Sequence, residues 1–400
     1  MAKKNHDFFK EKKPWSEVKD ELLGCYLKPY LQKILHTHHP VVYVDCFAGK
    51  GAFEDGKPGS PLIALQTMQD CLGQTKLEGG DIRPYFIDRN YAEDLRKNLD
   101  GYTGVHIVEG KYEDQIAGIL KSKNEFNVFL YVDPYGIKAL DCSLFDGFAS
   151  QRFNSIELLI NMNSFGFIRE GCRVLDVKFG ADDLLEDLVE YDSTQLASDE
   201  KSKEALNKIA GGDYWASIIE KKRNGEISAY EAEAEFADAY CKRLRESYAY
   251  VLNMPLRIKP GQVPKYRMIH ATNHPDGALI MVDVIFKRWE LMKDIQNQGQ
   301  QSLWDEDIEN EIVNEEEIEA KVIDHLSQVT SFKRMNPVMA DFYCTYGVIC
   351  PTKTVKSIYK KLEKSGRLEV RRTPSVTPTG NATAFFADEK KQKTELRWRG

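Results

Sequence analysis

The stretch Val41-Val42-Tyr43-Val44-Asp45-Cys46-Phe47-Ala48-Gly49-Lys50-Gly51 sets four β-branched or aromatic residues in a row, closes them on an acid and turns at once through two spaced glycines. A short apolar run of this kind predicts a parallel strand buried on both faces. Gly49 and Gly51 let the backbone approach a ligand with no Cβ in the way. In a doubly wound sheet, the loop after the first strand is where a nucleotide-type cofactor lies. A second run, Phe126-Asn127-Val128-Phe129-Leu130-Tyr131-Val132, ends in Asp133-Pro134-Tyr135-Gly136. Two buried strands that each end in an acid and a tight loop predict one shared crevice.

Working outward, further strands are expected at 83–87, ending in Asp88, at 104–108, followed by Glu109, and at 155–163. Helical patterns separate them, so the expected fold class is α/β with a Rossmann-like parallel sheet. A helix is expected from about Ser16 to Leu35, interrupted or kinked at Pro29. A helical insertion is expected at about 165–247, an antiparallel edge pair at 248–258 and 265–272 about a turn at 259–262, and a closing helix to about Lys293. The expected domains are a basic helical segment 1–40, a cofactor-binding domain 41–295 and a polar, acidic linker 296–312. A winged helix–turn–helix at 313–388 and a basic tail at 389–400 complete them. The winged unit rests on helices at 318–329, 335–343 and 352–365 and strands at 367–372 and 382–387.

Composition bounds the rest. Four hundred residues are enough for two or three units. No apolar run reaches membrane-spanning length and no apolar signal core follows the Lys-rich start, so a cytoplasmic protein with no membrane partner is expected. The eight Cys are scattered without Cys-x-x-Cys spacing, which predicts reduced thiols and no metal. Net charge is −7, yet residues 351–400 carry 13 basic against 5 acidic side chains. A basic end on an acidic body suits a local contact with nucleic acid. Lys353, Lys356 and Lys360 on the third helix and Arg371 and Arg372 on the wing are the expected phosphate-facing residues, only one of the adjacent arginines pointing that way.

The chemistry of the crevice follows by elimination. The phosphate-cradling Gly-x-x-x-x-Gly-Lys-Ser/Thr is absent, and Glu54 stands where a dinucleotide fingerprint needs its third glycine. An acid ahead of the glycines fits a cofactor with a positive, phosphate-free group, such as S-adenosylmethionine. Asp45, Phe47, Ala48, Gly49 and Gly51 would line it, and Asp88 would hold the ribose. Asp133, Pro134, Tyr135 and Gly136 would face the methyl group: carboxylate and Pro134 carbonyl accept protons of an exocyclic base amine, and Tyr135 stacks on a flipped base.

These residues, with Gly59-Ser60-Pro61-Leu62-Ile63-Ala64-Leu65, Leu159-Ile160-Asn161, Tyr266–Asp283, Trp15-x-x-x-Lys19 and Tyr26-Leu27, resemble the three-Cys-motif partner proteins over about residues 14–293. The resemblance implies a class I S-adenosylmethionine methyltransferase-like fold and a bacterial mobile-element or phage-defence setting. It also implies a three-Cys-motif protein encoded nearby, and a winged-helix extension as in some members. The chain departs from amino-methyltransferase patterns twice. Asp-Pro-Tyr-Gly replaces Asp/Asn-Pro-Pro-Tyr and is closer to tRNA guanine-N2 methyltransferases; Gly110-Lys111 replaces Gly-Asp after the third strand, so the adenine-amine acceptor that the resemblance implies is missing unless Glu109, Glu113 or Asp114 replaces it. The base, and DNA against RNA, stay open. Two readings stand: a methyltransferase acting on a nucleic-acid base, or a catalytically weak scaffold of the same fold.

Overall fold

The computed structural model describes residues 8–12, 14–74, 81–179, 199–256, 266–297, 314–376 and 380–400. The expected turn at 259–262, residues 180–198 of the expected insertion and all but the first two residues of the expected linker lie outside them. The chain forms two compact units, Met1–Asn273 and His274–Gly400.

The first unit is built on a seven-stranded sheet. Its strands are β1 (Val41–Asp45), β2 (Ile82–Asp88), β3 (His106–Glu109), β4 (Asn127–Val132), β5 (Ser155–Met162), β6 (Tyr250–Leu256) and β7 (Tyr266–Thr272). The order is β3-β2-β1-β4-β5-β7-β6. Pairs from β3 to β5 are parallel, and β7 runs antiparallel to both its neighbours. Every residue of β1 and β4 is buried, as central strands covered on both faces require. The order places β1 between β2 and β4, so the ends of all three strands open on one edge.

The alternation of a strand divides the core into two faces. Val42, Val44, Val128, Leu130, Ile156 and Leu158 face one cluster, shared with α4 (Tyr112–Leu120), α5 (Cys142–Ala149), α6 (Ser164–Val174) and the helices of the insertion. Those helices are α7 (Asp199–Ala210), α8 (Tyr214–Arg223) and α9 (Ala229–Leu244), the last opened by a Ser228–Glu231 capping box. A buried Arg267 grips Glu233 of α9 through two bonds of 2.6 and 2.7 Å and ties the insertion to β7. Tyr43 and Phe129 point to the other face, where Tyr26 and Tyr30 of α1 (Pro14–Ile34) meet Phe129 at 6.0 and 5.1 Å. The Tyr26 hydroxyl donates to Glu157 of β5 and lies 3.0 Å from His270 Nε2 of β7. Helix α1 runs through Pro29 without a break. Helices α2 (Ser60–Gln74) and α3 (Ala92–Asn98) follow β1 and β2.

The second unit opens with α10 (Pro275–Asn297), which the sequence reading had assigned to the sheet domain. It continues through α11 (Glu315–Ser327), β8 (Lys333–Arg334), α12 (Met335–Tyr346), α13 (Thr352–Lys364), β9 (Leu368–Thr373) and β10 (Lys393–Trp398). Helix α10 joins this unit by polar contacts that no hydrophobic period discloses: Asp276 accepts from Asn336 Nδ2 at 2.7 Å, and Asp283 accepts from the Thr352 amide and hydroxyl at 3.0 and 2.8 Å. The three strands are antiparallel in the order β8-β10-β9. The second hairpin strand, expected at 382–387, is instead Lys393–Trp398, within the expected basic tail. Thr394 and Leu396 turn inward there and are fully buried, while Glu395 and Arg397 pair with Arg371 and Glu369 across the ladder. Phe385, in the expected strand, is 68% exposed.

No described helix is long and apolar enough to cross a membrane. The eight cysteines are free, and six are buried.

Candidate functional site

Asp45 ends β1 in full burial. Its carboxylate accepts from Ser60 Oγ at 2.6 Å, at the start of α2, and from the Phe47 amide at 3.2 Å. Burial, which no cation at hydrogen-bond range offsets, pushes the Asp45 carboxyl up to about 7. The chain then turns through Gly49 (φ +60°) and Gly51 (φ +81°), backbone that only glycine adopts without strain. The Gly49 amide donates to Asp88 Oδ2 at 3.0 Å, and the Asn90 and Tyr91 amides donate to Asp88 Oδ1 at 2.7 Å each. Asp88 thus anchors the glycine loop to the end of β2. Its carboxyl is still raised, because burial outweighs the three amides. Asp45, Phe47, Ala48, Gly49, Gly51 and Asp88 therefore belong to one loop system. Glu109 lies opposite Asp88 in the β2–β3 register, but its side chain is exposed and 3.8 Å from Arg96.

Asp133 follows β4, the neighbour of β1. It is already engaged: Lys19 Nζ from α1 lies 2.9 and 2.8 Å from its two oxygens, Asn161 Nδ2 from β5 donates at 2.7 Å, and the Tyr131 hydroxyl stands at 3.5 Å. The carboxylate expected to accept amine protons is the counter-ion of a lysine 114 positions away. The Pro134 carbonyl accepts from the Gly136 amide at 3.1 Å, and one lone pair remains to it. Gly136 takes φ +106°, and Tyr135 is 57% exposed.

The N-terminal segment supplies groups that the sequence reading left out of the site. Lys12 pairs with Asp20 at 2.7 Å and donates to the Pro58 carbonyl at 2.7 Å. Burial pushes the Asp20 carboxyl up to about 6 against the pull of Lys12. Asp20, Asp45 and Asp133 act on one another electrostatically. With Lys12 and Lys19 they form a largely buried network of three carboxyl and two ammonium groups, which carries one negative charge in excess only once Asp45 ionises, near pH 7. A single Lys on an amphipathic helix carries no sequence signature of such a role; only Trp15-x-x-x-Lys19, within the resemblance, touched it. The same segment lays Phe9 on the glycine loop. Phe9 meets Tyr91 at 4.9 Å and Phe53 at 5.8 Å, its carbonyl accepts from the Glu54 amide at 2.8 Å, and a Cβ on Gly49 would stand 3.0 Å from its ring. Among the described residues no group of three or more His, Cys, Asp or Glu is placed to hold a metal ion.

In the second unit Lys353 and Lys360 are exposed and Lys356 half-exposed along α13. None of the three has an ion-pair partner among the described residues. Arg371 is exposed and stacks on Phe332, 3.8 Å from the ring centroid, with Arg397 at 4.6 Å from the same ring. Arg372 turns the other way. Its guanidinium makes two bonds to Glu363, at 2.6 and 2.8 Å, and a third to the Phe385 carbonyl. With its side chain 9% exposed, Arg372 braces the hairpin against α13, its guanidinium taken up by Glu363 and the Phe385 carbonyl.

No family model matches the chain. No curated protein matches it either. Among solved structures, it is similar to yhhF of Escherichia coli, described as a candidate methyltransferase, at 17% identity over 34% of this chain and 68% of that one, with a TM-score of 0.22. It is also similar to a geranyl diphosphate methyltransferase in complex with GPP and sinefungin, at 10% identity over 62% and 77%, with a TM-score of 0.24. Both overlaps are too loose to carry an assignment.

Proposed function

We propose that the first unit binds S-adenosylmethionine and catalyses transfer of its methyl group to an exocyclic amine of a nucleic-acid base. The observation that carries this reading is the meeting of two acid-ended strands at adjacent positions. β1 with Asp45 and its glycine loop stands beside β4 with Asp133, in a sheet of order 3-2-1-4-5-7-6 with strand 7 reversed, the arrangement that the class I resemblance implies. The network's excess negative charge suits a cofactor carrying an ammonium and a sulfonium. Asp45 would hold the ammonium, Asp88 the ribose, and the glycine loop the space between them. The cofactor supplies the activated methyl group. The protein's own part is to orient the amine with the remaining lone pair of Asp133 and to stack the base on Tyr135.

We read α11 to α13 and the β9–β10 hairpin as a winged helix that holds nucleic acid through Lys353, Lys356, Lys360 and Arg371. Calorimetry with S-adenosylmethionine tests the cofactor, and incorporation of labelled methyl into mixed DNA and RNA tests the reaction. No binding at millimolar cofactor sinks the enzyme reading. The alternative is a scaffold of the same fold working with a three-Cys-motif protein. Lys111, where an acid would receive the adenine amine, and the engagement of Asp133 by Lys19 favour it. Such a protein would bind nucleic acid and partner without transferring methyl.

A further inference from the structure

Asn161 lies on β5, 2% exposed, one strand over from Asp133. Its amide nitrogen donates to Asp133 Oδ1, and that bond fixes which way the amide faces, since the reversed group would set oxygen against carboxylate oxygen. The Asn161 carbonyl oxygen is then buried with no hydrogen-bond partner in the protein. An unsatisfied buried acceptor is costly and rare, and a persistent one marks a place for a ligand or an ordered water.

Asp133 itself has little capacity left. Oδ1 receives both Lys19 and Asn161, while Oδ2 receives Lys19 and faces the Tyr131 hydroxyl at 3.5 Å. A carboxylate offers about four lone-pair sites, so roughly one strong site is open. An exocyclic amine brings two N–H donors. We propose that the Asn161 carbonyl oxygen receives one of them and so selects substrates that present an N–H donor over those that present a carbonyl or a hydrogen at the same ring position. This rests on the proposed action on base amines and adds the residue that reads the amine.

Chemical selectivity follows directly. A keto group aimed at Asn161 Oδ1 would oppose two acceptors, and sites built to receive an N–H reject analogues lacking it strongly. Lys19 acts through Asp133: its two bonds hold the carboxylate in place, and so keep the Asn161 amide turned with its nitrogen toward that carboxylate.

The test is ligand-observed NMR of the full chain with an excess of S-adenosylhomocysteine, using two nucleoside pairs that differ at one amine: guanosine against inosine, and cytidine against uridine. The expected result is that one amine-bearing nucleoside binds at least roughly tenfold more tightly than its partner. Asn161→Leu should erase the difference, while Asn161→Ser, which keeps an acceptor, should retain part of it. Equal binding within both pairs, or binding of none of the four, overturns the proposal and leaves the oxygen to an internal water. A preference that survives in Asn161→Leu overturns it as well. The methyl-transfer reading fails separately, by absence of S-adenosylhomocysteine binding in calorimetry, because the nucleoside preference is read without any transfer.

Discussion

A carboxylate buried beside no cation is a liability, and Asp45 shows the cost. In the folded protein Asp45 keeps its proton up to about pH 7, whereas an aspartate in water loses it near 3.8. Between those limits the native state binds more protons than the unfolded chain, so stability falls as pH rises through the window and stays low above it. Asp45→Asn should therefore stabilise the ligand-free protein at pH 8 by an amount on the order of a few kcal/mol, visible as a higher melting temperature, and change it little at pH 4. The same substitution should weaken binding of S-adenosylmethionine. For the parent protein, calorimetry should find affinity for this cation constant above pH 7 and falling below it, by roughly tenfold per unit at most, because only ionised Asp45 attracts an ammonium. A flat profile from pH 5 to 8 would separate Asp45 from the ligand. At the other pole of the network, Asp133→Ala strands Lys19, whose side chain is only 10% exposed. A loss of roughly 2–3 kcal/mol is expected, somewhat below the figure for a fully buried pair. Thermal melts of Asp133→Ala and of a Lys19→Met, Asp133→Leu double variant decide it: the double variant should recover stability and not methyl transfer.

Elements were legible where burial prints a simple pattern. β1 and β4 are covered on both faces and read as unbroken apolar runs; the helices after them show a turn-length period. β10 was missed because Lys393-Thr394-Glu395-Leu396-Arg397-Trp398 gives its outward positions to charges, and its pairing depends on Glu369 and Arg371, more than twenty residues upstream. Ala382–Ala387 has the better strand composition, but among the described residues it makes an isolated bridge, Ala382 to Val376, in place of a ladder. The cap on α13 is equally nonlocal. Its first residue, Thr352, is held by Asp283 of α10. Asp283→Ala should destabilise the second unit by about 1–2 kcal/mol, the value of a lost cap, in denaturant titration. In the glycine loop, Gly49→Ala must adopt φ +60° and displace Phe9. A cost of roughly 1–3 kcal/mol is expected, visible as a lower melting temperature, and Phe9→Ala should relieve the steric part of it.

At the scale of the molecule, the sequence placed the boundary in the polar stretch after α10, because composition marks a linker more plainly than a fold boundary. The compact units divide ahead of α10, at Asn273, since Asp276 and Asp283 are spent on the second unit. A chain ending at Asn273 should thus keep cofactor affinity and a cooperative melt. One ending near residue 310 strands α10 without α12 and α13 and should aggregate. The shorter chain should also lose most nucleic-acid affinity. In the full chain the slope of log affinity against log salt should reflect about four phosphates, for Lys353, Lys356, Lys360 and Arg371, at roughly −0.9 each on duplex DNA. Arg372→Ala should leave that slope unchanged while loosening the hairpin. A truncated chain that binds nucleic acid undiminished would make the second unit a protein-docking module.

The bond from Lys19 to Asp133 spans 114 positions, and this sets an order of assembly. The helix that carries Lys19 precedes by far the strand that supplies its counter-ion. Bringing such distant segments together has an entropic cost that only the assembled sheet repays. The amides of α1 should accordingly gain protection from hydrogen exchange together with β4 and β5, late in refolding. Until then the crevice has neither its cations nor the Phe9 side wall. Ligand binding and the last step of folding are in that sense one event, and a pulse-labelling experiment should date them together.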